Sequence, residues 1–144
     1  MKQFVKVIGL SALLGLSLIA TAANASSKVN LVLGASSQIP AAEGKVQLRH
    51  TVNGNIEIRL SIQHLAPPGR IVPGANVFVV WARGLAPGAE AQNLGALVVD
   101  KNLNAKLKAV TAMPAFDLFI TCEQGQTATL PTAPELLPAN YTSK

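Results

Sequence analysis

The sequence predicts an all-β protein, a sandwich of seven or eight antiparallel strands, and three observations predict it. Apolar and polar residues alternate in several short runs, the period of strands with one face on a core and one in water. These runs recur about every ten residues, with turn residues between them. Beyond the N-terminal segment 1–25, helix signals are nearly absent and there is no room for a crossover helix.

The elements follow in order. Residues 26–43 read as an N-terminal edge strand, the apolar run 29–33, and a loop around Gly34-Ala35-Ser36-Ser37. In 45–50, Val46 and Leu48 share one face and Lys45, Gln47 and Arg49 the other. In 56–63, Ile56, Ile58, Leu60 and Ile62 alternate with Glu57, Arg59, Ser61 and Gln63. Residues opposite one another in an antiparallel pair share a face, so the turn between these strands is testable. A two-residue Asn53-Gly54 turn would set Leu48 against Arg59. A three-residue loop, Val52-Asn53-Gly54, pairs Leu48 with Ile58, Val46 with Leu60 and Arg49 with Glu57, and puts Gly54 where a left-handed residue is needed. The second register is the prediction.

Pro67-Pro68-Gly69 and Pro73-Gly74 mark a loop too proline-rich for a central strand. Residues 76–83 are apolar on both faces, a strand inside a sheet, and the size of Trp81 suits the centre of the sandwich core. A Gly/Pro/Ala loop, 84–92, precedes strands at 94–99 and 105–110, the latter with Lys106 and Lys108 outward. Residues 116–123 place Phe116, Leu118, Ile120 and Cys122 on one face; 124–134 is a polar, turn-rich connection; 135–139 is a last strand. An immunoglobulin-like sandwich spanning 44–139 closes these strands, with a frayed tail over 140–144.

The N-terminal stretch 1–25 is of a different kind. Lys2 and Lys6 give a positive start, 7–20 an uncharged and mostly apolar run, and Ala23-Asn24-Ala25 a small-x-small exit. This is the layout of a secretory signal peptide cleaved between Ala25 and Ser26, which predicts a periplasmic or secreted protein. Cys122 is the only cysteine, so an exported domain has no internal disulfide and is held by packing. No later stretch approaches the roughly 20 apolar residues that span a bilayer. The leader holds two of the twelve basic residues, leaving ten against seven acids, scattered along the sequence with only 101–108 locally dense. A nucleic-acid footprint needs a clustered patch with interleaved aromatics, so nucleic acid is not an expected partner.

The order Val79-Val80-Trp81, Asn93-Leu94-Gly95, Phe116-Asp117, Ile120-Thr121-Cys122-Glu123 and Pro131-Thr132-Ala133-Pro134 resembles the extracytoplasmic C-terminal domain of anti-sigma-K-type factors, over roughly residues 44–138. The resemblance implies a sandwich module at the envelope. Those regulators carry a cytoplasmic sigma-binding region and a membrane helix ahead of this domain. Here a leader stands in their place, so sigma-factor binding does not carry over, and the family's outer domain supplies no catalytic residues.

The chemical motifs exclude more than they suggest. A blue-copper site uses two His, one Cys and a Met, and the chain owns His50, His64, Cys122 and Met113. Such a site needs His and Met shortly after the Cys, and neither follows Cys122; no metal or cofactor is expected, and Cys122 reads as a core thiol. There is no Gly-x-Ser-x-Gly elbow, His-Glu-x-x-His helix or phosphate loop. Asp117 and Glu123 lie six residues apart, about 20 Å along a strand, too far to share one glycosidic bond. Glu123 is expected to hold the 124–134 loop. The reading is therefore an exported, non-enzymatic binding module for an envelope protein or glycan. Its candidate contacts, Arg70 and Arg83, lie on the long connections 66–75 and 84–92. The alternative is a small exported hydrolase or metalloprotein with an unrecognised site.

Overall fold

The computed structural model describes residues 28–143; the 1–25 leader and Lys144 lie outside the described residues. Eight strands form: β1 (Lys28–Val32), β2 (Glu43–His50), β3 (Ile56–Gln63), β4 (Val77–Gly84), β5 (Ala91–Leu97), β6 (Ala105–Thr111), β7 (Ala115–Glu123) and β8 (Leu136–Thr142), with one helical turn, α1 (Pro68–Ile71). They make two four-stranded antiparallel sheets, ordered β1-β2-β3-β6 and β5-β4-β7-β8. The all-β sandwich read from alternation is the observed fold. Among the described residues no helix is long and apolar enough to cross a membrane.

The alternation builds the core directly. Val46, Leu48, Ile58, Leu60 and Ile62 of the first sheet pack against Phe78, Val80, Phe116, Leu118 and Ile120 of the second. The β2–β3 hairpin has the expected register: Leu48 faces Ile58, Val46 faces Leu60 and Arg49 faces Glu57. Gly54 takes φ 79°, and its N–H closes the turn on the Thr51 carbonyl at 3.0 Å. Gly44 serves packing instead: a Cβ there would stand 2.1 Å from Leu33 Cδ1, so the Leu33 side chain occupies the space glycine leaves.

Two expectations are corrected. Trp81 is fully buried, but not between the sheets. It belongs to a second cluster with Val79 and Phe119 on the outer face of the second sheet, packed against Ala128 of the β7–β8 connection. A strand apolar on both faces gives no sign of which face meets the other sheet, and side-chain size points to the wrong one. The tail is not frayed at residue 140. β8 continues to Thr142, with Asn140 opposite Asp117 and Tyr141 buried opposite Phe116. The register slips between Leu118 and Ile120, where Leu137 has φ 50° and Pro138 follows; a proline without an N–H is tolerated at such a bulge on an edge strand.

Candidate functional site

The two outer faces of the sandwich differ in kind. The second sheet's is covered by its own chain: Trp81 Nε1 donates to Thr121 Oγ1 at 2.8 Å, and Thr121 Oγ1 donates to Glu123 Oε1 at 2.6 Å. Glu123 also accepts from the Thr132 N–H at 2.9 Å and from the Thr132 hydroxyl, so it ties the far end of the connection to the strand, as expected for this residue. Asn93 Nδ2 donates to the carbonyls of Gln126 (3.0 Å) and Ala128 (2.8 Å), fixing the middle. Burial on its own would raise the Glu123 pKa, but the Thr121, Thr132 and Ala133 hydrogen bonds outweigh it and hold the carboxyl below its ordinary value.

Arg83 pins the remaining end. It lies in β4 rather than on a loop, with its guanidinium 4.7 Å from the Phe119 ring centre and Glu135 bound at 2.5 and 3.3 Å. Arg83 is thus committed within the fold. Arg70 is exposed on α1. The connections 66–75 and 84–92 meet opposite ends of β4, so they do not form one recognition surface.

The sequence's other candidates are likewise dispersed. His50 Nε2 lies 3.1 Å from the Tyr141 hydroxyl, which ties the first sheet to β8. Tyr141 is paired with Phe116, six residues along β7 from Cys122, so the imidazole and the thiol are about 20 Å apart. Among the described residues no three of His, Cys, Asp and Glu gather to hold a metal. Cys122 is buried, and burial, with the Glu123 charge adding, pushes its thiol up to about 11. Asp117 accepts from Asn140 Nδ2 and lies 3.8 Å from Arg83.

The first sheet's outer face is where charge collects, and reading residues singly misses it. Pairing sets three outward rows across the four strands: Lys28, Arg49, Glu57, Val110; then Asn30, Gln47, Arg59, Lys108; then Val32, Lys45, Ser61, Lys106. With Glu43 at the corner, this face holds six of the nine cations among the described residues against two carboxylates. The rest of the described chain holds three cations (Arg70, Arg83, Lys101) against five carboxylates. Arg59 Nε meets Glu57 Oε1 at 2.7 Å and Lys108 Nζ meets Glu57 Oε2 at 3.2 Å. Hydrogen bonds from Arg59, then from Lys108, hold the Glu57 carboxyl below its ordinary value. Lys28, Lys45, Arg49 and Lys106 form no ion pair among the described residues. Lys45, Arg59, Lys106 and Lys108 wall a shallow depression of about 820 Å³ that includes Ser61. Their apolar stems lie on the sheet with the charged heads reaching water. Such an array offers a fixed positive field and hydrogen-bond donors to an anion. Compared with known proteins, the chain matches no family model and no curated relative.

Proposed function

We propose that this chain is an exported, non-enzymatic binding module, an immunoglobulin-like sandwich by our reading of its connectivity, and that it recognises an anionic envelope ligand through the outer face of its first sheet. One observation carries this reading. Six of the nine described cations converge on one sheet face that no other described segment covers, while the opposite face is closed by residues 124–135. The leader-like segment 1–25 supports export, and the resemblance to anti-sigma-K-type outer domains supports an envelope sandwich. Three of the polar residues weighed from the sequence are engaged within the fold: Glu123 with Thr121 and Thr132, Asp117 with Asn140, and His50 with Tyr141.

Retention on a sulfated polyanion matrix tests the reading. The Lys45→Glu/Lys106→Glu variant should elute at clearly lower salt than the wild type. Arg70→Glu/Lys101→Glu, with the same change in net charge away from the face, should elute nearer the wild type. Equal losses for the two pairs would mean that net charge alone, and no particular face, governs binding.

A further inference from the structure

We infer that the ligand of this face is a linear phosphodiester polymer of the envelope, held at two cation pairs at once; this rests on the reading of the face just given. The first pair is Lys28 and Arg49, facing each other across β1 and β2. The second is Lys45 and Lys106, on either side of Ser61 in one row. Arg49 and Lys45 are four residues apart on β2, about 13 Å at the rise of a strand. Lys45 and Lys106 are two strands apart, about 10 Å. Two lysine heads reach a single anion across that second gap, with the Ser61 hydroxyl beneath as a donor. A small anion does not reach both pairs, whereas a chain of repeating charges does, and the second contact is then made at high effective concentration.

The middle of the face explains why contact divides in two. Arg59 and Lys108, in the row between the pairs, share the Glu57 carboxylate, which offsets one of their two charges and engages both heads. The composition of the face narrows the polymer. Phe78, Trp81, Phe116, Phe119 and Tyr141 are all buried, so no described aromatic stands on this face. A sugar ring or a nucleobase finds no platform to stack on, and base stacking is a main source of single-strand nucleic-acid affinity. Recognition rests on the charged groups themselves. A phosphodiester carries its charge in the linkage, free of any ring, whereas a uronic acid carries it on the ring that has nowhere to stack.

The test is calorimetric titration of the full mature protein with poly(glycerol phosphate), inorganic phosphate, polygalacturonate of matched charge and duplex DNA. Poly(glycerol phosphate) should bind at least about a hundredfold more tightly than inorganic phosphate. Lys28→Ala/Arg49→Ala and Lys45→Ala/Lys106→Ala should each forfeit most of that gain. Glu57→Gln, which frees Arg59 and Lys108, should tighten binding severalfold, a gain no merely structural role for Glu57 gives. Circular dichroism and native protection of Cys122 confirm that each variant is folded. Polygalacturonate binding as tightly overturns the phosphodiester class, and duplex DNA binding more tightly overturns the envelope source, each while leaving the face as the binding surface. Undiminished binding by both paired variants overturns the face as well.

Discussion

Glu123 shows how a single side chain sets a local structure. It is a nearly buried carboxylate with donors from Thr121 and Thr132, and removing it leaves those donors unsatisfied beneath the β7–β8 connection. Glu123→Ala should cost about 1–3 kcal/mol in urea unfolding followed by Trp81 fluorescence. The sign of the acid dependence follows from its lowered pKa. The unfolded chain takes up the proton more readily than the folded one, so the contribution is full above the ordinary value of 4.5 and is lost as pH falls through the lower folded value. Glu57 adds to the same window. Glu123→Gln should therefore flatten the fall in stability below pH 4.5, and an unchanged pH profile would contradict this role. Cys122, with its thiol raised to about 11, should resist alkylation in the native protein and react promptly in denaturant.

At the scale of elements, alternation is informative where one face of a strand is wet. The β2–β3 register follows from keeping apolar residues opposite apolar ones, and Gly54 marks the turn. In β4, by contrast, Val79 and Trp81 on one face are as buried as Phe78 and Val80 on the other, because a loop covers the sheet. No local pattern separates a face buried by a sheet from one buried by a loop. The end of β8 is obscured for a related reason. Pro138 breaks the period, yet the strand passes it by a bulge and resumes with Tyr141 inward. Gly44 supplies a test of how β1 is held: Gly44→Ala forces Leu33 out of its place and should cost about 1–3 kcal/mol. Amide exchange should then quicken in β1 before it does in β7.

Across the whole molecule, the sandwich is electrically lopsided, and this is legible in the sequence only in part. The outward direction of Lys45, Arg49, Arg59, Lys106 and Lys108 is plain from alternation. That they share a face depends on β3 pairing with β6 across the intervening β4 and β5, and no local signal announces so distant a partner. Scattered cations become a patch once the sheet order is known. The loop residues singled out from the sequence fare differently: Arg83 is spent on Glu135 and Phe119, and the two long connections lie at opposite ends of β4. Because Lys28, Lys45, Arg49 and Lys106 are exposed and form no ion pair among the described residues, binding should weaken steeply with ionic strength, as the Debye length shortens from about 10 Å at 0.1 M to about 3 Å at 1 M.

The most direct measurement is a map of backbone amide shifts as a phosphodiester polymer is titrated into the isotopically labelled protein. The account predicts perturbations concentrated on the first sheet around Lys28 and Arg49 and around Lys45, Ser61 and Lys106, with the 85–90 loop and the 124–135 connection unmoved. Shifts centred on those loops, or no saturable shifts on the first sheet, would contradict it.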